Sequence, residues 1–297
     1  MKILNFGSCN IDYVYSVDHA VQTGETISAD QMEIFAGGKG LNQSVAAARA
    51  GATVYHAGVI GSDGGFLQEI LEDSGADVSF LQHSDVKNGH AIIQVNAKGN
   101  NSIIVYAGTN GMITKDYVDE VLSHFEAGDM VMLQNETSCV PYIIDKAFAK
   151  GMQVVFNPSP FTPEMLKMDL SKVTYLLVNE TEAMGFADSD RPEEAITLLN
   201  QRYPNLHLVV TLGSEGCIYA DPTERFSQAA YRVRAVDTTA AGDTFTGYFV
   251  AALADGKDKQ QAVRLATAAA ALSVMRRGAS PSIPTMEDVL HGLAHLR

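Results

Sequence analysis

The chain has 297 residues, of which 46% are hydrophobic and 19% charged, a composition typical of a folded protein rather than a disordered one. Its formal net charge of −14, with no cluster of basic residues, argues against nucleic acid or an anionic membrane as a partner. The length fits one large domain, and the three widely spaced cysteines, Cys9, Cys139 and Cys217, favour neither a zinc site nor a disulfide framework.

The beginning of the chain runs directly into a strand-like segment and lacks the apolar stretch of a signal peptide. No apolar run approaches the roughly 20 residues needed to cross a bilayer. We therefore expect a cytoplasmic protein whose cysteines remain reduced.

Short, continuous apolar runs recur along the chain and end in polar or glycine-rich residues. Runs of this length suit parallel strands that are buried on both faces. They occupy residues 3–6, 54–60, 130–133, 154–156, 175–178 and 208–212. Helical patterns lie between or after them, at residues 40–50, 65–74, 115–125, 141–150, 192–201, 240–254 and 259–275. The alternation predicts a single α/β domain over residues 1–297 with a doubly wound, mainly parallel sheet, which binds ligands beyond the carboxyl ends of its strands.

Two other regions alternate apolar and polar residues, at 13–17 with 25–35 and at 91–97 with 101–107. Alternation is typical of antiparallel strands with one face in water. One interpretation is a small separate sheet, inserted at about 13–35 and 91–107, that covers a site as a lid. The other is an extension of the edge of the main sheet.

The first polar residues that could bind a ligand are Asn10 and Asp12, which we place at the end of the first strand. They could contact sugar hydroxyls, although such residues often only form turns. The segment from Gly37 to Asn42, Gly-Gly-Lys-Gly-Leu-Asn, comes next and opens an Ala-rich helix. It allows close approach of a ligand to the backbone, but it lacks the spacing of a Walker A loop and could also be a flexible turn with a solvated lysine.

Two segments farther along follow buried strands. Asn179-Glu-Thr-Glu182 offers amide and carboxylate groups that suit a hydrated magnesium ion, and it also fits a helix capping box. The segment 211–216, Thr-Leu-Gly-Ser-Glu-Gly, could contact a nucleotide or could be an ordinary hairpin turn.

The sharpest motif is Asp237-Thr-Thr-Ala-Ala-Gly-Asp243, which leads into a long helix. Its small residues would let a phosphate reach the unpaired N–H groups of Ala240, Ala241 and Gly242 at the positive end of the helix dipole. Asp243 could then take the proton from an attacking hydroxyl. The alternative is that Asp243 only stabilises the start of the helix, by roughly 0.3–1 kcal/mol.

These motifs, in this order and over nearly the whole chain, resemble the ribokinase (PfkB-type) family of carbohydrate kinases. The resemblance implies ATP-dependent phosphorylation of a primary hydroxyl of a small sugar, with D-ribose as the best single expectation. It also implies a β-lid that commonly forms a homodimer. Another sugar, a nucleoside, or a non-catalytic sensor on the same fold remain as alternatives.

The resemblance also implies a role for each matching position. Asp243 would be the catalytic base, with an anion hole formed by Ala240, Ala241 and Gly242. The sugar would be bound by Asn10, Asp12, Gly38, Lys39, Asn42, Glu136 and Asp243. The nucleotide would be bound by Asn179, Thr211, Gly213, Gly216, Gly242 and Thr267, with Glu182 near Mg²⁺. A monovalent cation, usually K⁺, would lie near Asp237, Thr239, Ser273, Arg276, Gly278 and Ser282. The chain departs from the family pattern at Asn135, Thr238 and Thr267, of which Asn135 could alter the sugar pocket.

Overall fold

The computed structural model describes residues 1–295 and contains two sheets. Within those residues the strands are β1 Ile3–Phe6, β2 Asn10–Ser16, β3 Gln31–Gly37, β4 Val54–Gly61, β5 Asp77–Ser84, β6 Gly89–Val95, β7 Asn101–Tyr106, β8 Met130–Gln134, β9 Gln153–Asn157, β10 Tyr175–Asn179, β11 His207–Thr211, β12 Cys217–Ala220 and β13 Arg225–Gln228. The helices are α1 Lys39–Arg49, α2 Gly65–Asp73, α3 Lys115–Leu122, α4 Val140–Ala149, α5 Glu180–Ala187, α6 Pro192–Arg202, α7 Ala241–Ala254, α8 Lys259–Ser273 and α9 Met286–Leu293. None of these helices is long and apolar enough to cross a membrane.

The larger sheet has nine strands in the order β13-β12-β11-β10-β9-β8-β1-β4-β5. The seven strands from β11 to β5 run parallel to one another. β12 runs antiparallel to its neighbour β11, and β13 runs antiparallel to β12. From β1 the chain winds outward to β4 and β5, and from β8 it winds the other way to β11. The winding direction changes between β1 and β8, and a crevice forms at such a point beyond the carboxyl ends of the strands. The predicted fold class is confirmed.

Both faces of this sheet are covered by helices, which is why its strands are continuously apolar. Ile3 belongs to the core beneath α1, α7 and α8, whereas its neighbour Leu4 belongs to the core on the opposite face, with α3 and α4. Successive side chains of a strand point to opposite faces, so a strand between two cores needs no polar residue.

The smaller sheet has four strands in the order β3-β2-β6-β7 and is separate from the larger one, so the prediction of a separate sheet is confirmed and the edge extension is wrong. Two details differ from the prediction. The central pair, β2 and β6, is parallel rather than antiparallel. The second strand begins only at Gln31, because residues 22–30 form a loop. We call this smaller sheet the lid.

Other elements were not predicted. The edge strand β5 and the hairpin strands β12 and β13 lack a long apolar run, and α5 and α9 are short. Asn10 and Asp12 also lie elsewhere than expected. They start the lid strand β2, whereas the first strand of the body ends at Phe6.

Helices α1 and α7 pack closely at Gly247. A Cβ atom on this glycine would lie 2.7 Å from the carbonyl oxygen of Gln43 and 2.8 Å from the amide nitrogen of Ala47. Only a residue without a side chain therefore allows this contact. Because Asp243 lies one turn before Gly247 on the same face of α7, the contact also brings Asp243 to the first turn of α1.

We predict that Gly247→Ala lowers the free energy of unfolding by about 1–3 kcal/mol, since the added methyl group would force the two helices apart. An alanine in an open helical position would instead stabilise the helix by up to about 1 kcal/mol. Gly65→Ala in α2 is the matched control, because nothing lies within 4 Å of its Cβ position. Urea unfolding of both variants tests the prediction, and equal stabilities would contradict it.

Candidate active site

Two clefts open beyond the carboxyl ends of the parallel strands. The smaller has a volume of about 240 Å³ and is lined by Lys39, Glu182 and Asp243 among others. The larger, of about 710 Å³, is bordered by the β11–β12 turn and by α8. Both clefts share the residues Thr211, Thr238, Ala241, Gly242 and Phe245. Two compartments therefore meet at the N-terminus of α7, next to Asp243.

Asp243 is buried, with only 6% of its surface exposed, and amide groups bind both of its carboxylate oxygens. Asn42 Nδ2 donates to Oδ2 at 3.2 Å, and Gln43 Nε2 donates to Oδ1 at 3.0 Å. These donors suit an ionised carboxylate, so the geometry provides a fixed proton acceptor facing the smaller cleft.

The turn before α7 has the strained backbone that an anion site often needs. Ala240 has a φ of 59°, in the left-handed region that a residue with a side chain rarely adopts. The N–H of Ala241 forms a long hydrogen bond of 3.3 Å with Thr238 O. The first N–H groups of a helix have no partner within the helix, and those of Gly242 and Asp243 fall in this class.

The predicted sugar residues come from both sheets. The side-chain oxygen of Asn10 accepts a 2.6 Å hydrogen bond from Asn110 Nδ2, which orients the amide so that its NH₂ group can donate to a ligand. In contrast, Asn42 donates its NH₂ group to Asp243 and keeps a buried Oδ1 without a hydrogen-bond partner among the described residues. One amide can thus donate to a hydroxyl and the other can accept from one.

Glu136 lies at the point where the sheet changes its winding direction. Its Oε2 accepts hydrogen bonds from the Ser8 hydroxyl, just after β1, and from the Lys39 N–H at 2.8 Å. Burial raises the pKa of Glu136. Glu136 thus connects β1, β8 and the first residue of α1. The preceding Gly38 has a φ of 92°, and its Cβ position is 2.9 Å from Ser8 O, so the close approach requires glycine.

Four carboxyl groups and one ammonium group share this region. The charge of Asp243 raises the pKa of Lys39, and Glu136 and Glu182 act in the same direction. Burial, with the charges of Glu136 and Asp243, raises the pKa of Asp12 to about 7. Lys39 is therefore not the solvated lysine of a flexible turn. It lies in the smaller cleft beside Asp243.

Asn179 and Glu182 form the capping box of α5. Asn179 Oδ1 accepts from the Glu182 N–H at 2.8 Å, and Glu182 Oε2 accepts from the Asn179 N–H at 2.9 Å. Both residues also line the smaller cleft, and burial raises the pKa of Glu182. In residues 1–295 no group of three or more His, Cys, Asp or Glu side chains could bind a metal. A divalent ion here would therefore take most of its ligands from phosphate and water.

The residues proposed for a monovalent cation come from two adjacent loops. Asp237 Oδ1 accepts from the N–H and the hydroxyl of Thr239, and Asp237 Oδ2 accepts from the Gly278 N–H at 2.9 Å. Ser273 is the last residue of α8 and Ser282 lies in the segment that follows it, and both are buried. The side chain of Arg276 instead faces Asp288, at 3.4 Å. Only the backbone of Arg276 is therefore available for a cation.

The remaining predicted residues line the larger cleft. Gly213 and Gly216 form the turn between β11 and β12, which is an antiparallel hairpin, so the hairpin interpretation is confirmed, and the nucleotide contact stays a prediction for a turn that borders the larger cleft. Thr267 lies on α8, where its hydroxyl donates to Val263 O at 2.8 Å. The wall around Thr267 is apolar, with Ala270, Ala271 and Val274, and suits a flat ring.

Several polar residues of the site were missed from the sequence, namely Ser8, Gln43, Asn88 and Asn110. Each contacts a predicted residue or its neighbour, but from elements that are distant along the chain. Their only sequence signal was that some follow a strand. Asn135, expected to alter the sugar pocket, donates its side-chain amide to Pro160 O at 2.8 Å.

A buried acid at a helix N-terminus, between a polar cleft and a partly apolar one, defines a phosphotransferase for a small hydroxylated acceptor. The model of the pfkB family carbohydrate kinases matches residues 1–286, and the chain belongs to this family. A ribokinase from Bacillus subtilis is 35% identical over 296 residues, covering 97% of this chain and 98% of the relative.

Two solved structures are similar over the whole chain. The ribokinase from Cryptococcus neoformans var. grubii in complex with ADP has a TM-score of 0.87 at 34% identity and covers 98% of this chain and 99% of its own. The Arabidopsis thaliana ribokinase complexed with ribose and ATP has a TM-score of 0.85 at 29% identity, with 98% of each chain covered. These comparisons confirm the family that the sequence resembles, and the fold of these relatives agrees with the small separate sheet.

We predict that Asp12→Asn stabilises the ligand-free protein at pH 8 by about 2 kcal/mol. This value is about half of the free energy that corresponds to the raised pKa, because solvent screens the charge of a group that is not fully buried. A carboxyl with a raised pKa contributes its full stability below the unfolded value near 4 and loses it as the pH rises through about 7. At pH 8 the replacement removes a charge next to Glu136 and Asp243. At pH 5 the folded carboxyl is mostly protonated and the unfolded one mostly ionised, so the effect should fall to about a third of its value at pH 8.

Urea unfolding at both pH values measures the difference, with Asp85→Asn on the exposed surface as the control. A stabilisation that is equal at pH 5 and pH 8 would show that the ionised carboxylate of Asp12 does not destabilise the protein.

Proposed function

We propose that the protein is an ATP-dependent ribokinase that transfers the γ-phosphoryl group to the primary hydroxyl of D-ribose and yields D-ribose 5-phosphate. The observation that carries the proposal is the position of Asp243, at the wall where the two clefts meet. The full-length similarity to ribokinases, one of them complexed with ribose and ATP, supports the choice of substrates.

In the proposed reaction, Asp243 orients the acceptor hydroxyl and takes its proton as the hydroxyl oxygen attacks the γ-phosphorus, while the bond from this phosphorus to the β–γ bridging oxygen breaks and ADP leaves. The N–H groups at the start of α7, with Ala240, Ala241 and Gly242 in the turn, stabilise the negative charge on the moving phosphoryl group. Asn10, Asp12, Gly38, Lys39, Asn42 and Glu136 position the sugar.

The larger cleft binds the nucleotide, with Thr211, Gly213 and Gly216 near its phosphates or ribose, and Thr267 near the base. Asn179 and Glu182 face the phosphates. Mg²⁺, when bound there, neutralises phosphate charge. K⁺ would be bound by backbone carbonyls of the loops around Asp237 and Gly278. The hydrogen bond between these two residues supports this placement, since it fixes the loops next to the anion hole.

The experiment is an ADP-release assay with D-ribose, 2-deoxy-D-ribose, D-xylose, D-fructose and adenosine, in KCl and in NaCl. We expect the highest kcat/KM with D-ribose and faster turnover in KCl. Adenosine is included because Phe35 and Val105 lie in the same cross-strand row of the lid as Asp12, where they could contact a base. A higher kcat/KM for adenosine would make the protein a nucleoside kinase.

Asp243→Asn is the matched variant in this assay, because it keeps the size of the side chain but cannot accept the proton. It should lower kcat by about 10²–10⁴-fold. Ribose binding measured by calorimetry should change little. A variant that keeps more than about a tenth of the wild-type rate would exclude Asp243 as the base.

We also propose a homodimer through the lid. One supporting observation is an exposed apolar row on one face of the lid, where Ile34, Ile92 and Ile104 lie in register on β3, β6 and β7 and are 53%, 36% and 61% exposed. Such a contiguous apolar surface is typical of an interface. Ile104→Lys should shift the protein from dimer to monomer in sedimentation velocity. Leu290→Lys on α9, which replaces an equally exposed residue, should not. Identical sedimentation of both variants would contradict the proposal.

A further inference from the structure

Gln43 is a buried residue in the first half of α1 that contacts the proposed catalytic base. Its side chain has no exposed surface. Its Nε2 donates to Asp243 Oδ1 at 3.0 Å and to Asn157 Oδ1 at 3.0 Å. The amide of Gln43 therefore links the acid on α7 to the end of β9.

A second buried amide determines which end of Gln43 faces Asp243. Gln134, at the end of β8, donates from Nε2 to Gln43 Oε1 at 2.7 Å and to Asn5 Oδ1 at 3.1 Å. Because the carbonyl end of Gln43 is occupied by this donor, its NH₂ end points to the carboxylate. Asn5 is in turn held by Gly40 O at 2.7 Å and Ser44 Oγ at 2.8 Å. We call Asn5, Gln134 and Gln43 the amide chain.

The amide chain has two effects on the buried carboxylate of Asp243, one on its charge and one on its orientation. A carboxylate shielded from water loses its hydration, and here Asp12 and Glu136 add negative charge nearby. Donors on both oxygens, from Gln43 and Asn42, compensate for this loss and also fix the rotation of the carboxylate. Rotation matters because the rate of proton abstraction depends on the angle between the base and the attacking hydroxyl.

We propose that Gln43 is a positioning residue for Asp243, and that Gln134 acts only through Gln43 by fixing the direction of its amide. This inference rests on the proposed function, since it assigns Gln43 a role in the same proton transfer. Gln43 does not touch the reacting atoms. The alternative is that the amide chain only satisfies buried polar groups and stabilises the fold.

The two explanations differ in kinetics and in additivity. A residue that orients the base affects kcat, whereas sugar binding through Asn10, Asp12 and Asn42 is retained. Two residues that act in series give no further loss when both are removed, because the second has nothing left to act on. A purely structural role would instead appear in the free energy of unfolding and leave kcat unchanged.

The experiment compares Gln43→Met, Gln134→Met and the double variant of the full chain in the ADP-release assay with D-ribose. Methionine keeps the approximate volume and removes the amide. We expect Gln43→Met to lower kcat by about 10–100-fold, with the KM for ribose within about threefold. Gln134→Met should lower kcat less. The double variant should have the kcat of Gln43→Met.

Leu71→Ala in the core beneath α2 is the control for a general loss of stability. It should lower the melting temperature at least as much as Gln43→Met without changing kcat at 25 °C. The proposal is overturned if Gln43→Met keeps kcat within twofold, if it raises KM alone, or if the losses of the single variants multiply in the double variant. A wild-type protein without sugar-dependent ADP release would instead refute the proposed function itself.

Discussion

The site depends on the close packing of α1 against α7. Without a side chain at Gly247, the carbonyl of Gln43 can approach the axis of α7, and the first turns of both helices then lie side by side. The acid on one helix meets two amides on the other as a direct result. Three further parts of the site adjoin one of these two helices. Lys39 begins α1, the turn at Ala240 precedes α7, and Glu136 binds the first N–H of α1.

Much of the fold could be predicted, because strands buried on both faces have continuous apolar runs that are visible locally. Strands without two buried faces could not be found in this way. In β5 only Leu81 is fully buried, so its pattern is weak. The lid was found from alternation, but the parallel pairing of β2 with β6 is decided by the path of the chain and not by either strand's own residues.

The candidate site shows the same limit. Asp243, Lys39 and Asn42 were predicted as site residues because they lie in motifs of small residues that are typical of ligand-binding turns. Gln43 follows Asn42 directly and has an equally close contact with Asp243, yet its partners are 91, 114 and 200 residues away. Asn110 is 100 residues from Asn10. A buried amide is identified by the groups around it in space, and no local pattern contains them.

The proposed sugar-binding residues are divided between two sheets, and one of the connections between the sheets is the segment of three residues between β1 and β2. Asn10 and Asp12 belong to the lid, whereas Lys39, Asn42 and Asp243 belong to the body. Asn88 and Asn110 hold the connecting segment, through the carbonyl and the N–H of Cys9. The distance across the proposed sugar pocket is therefore determined by the angle between two sheets. Substitutions at this junction can change which sugar fits without altering a single residue that touches it.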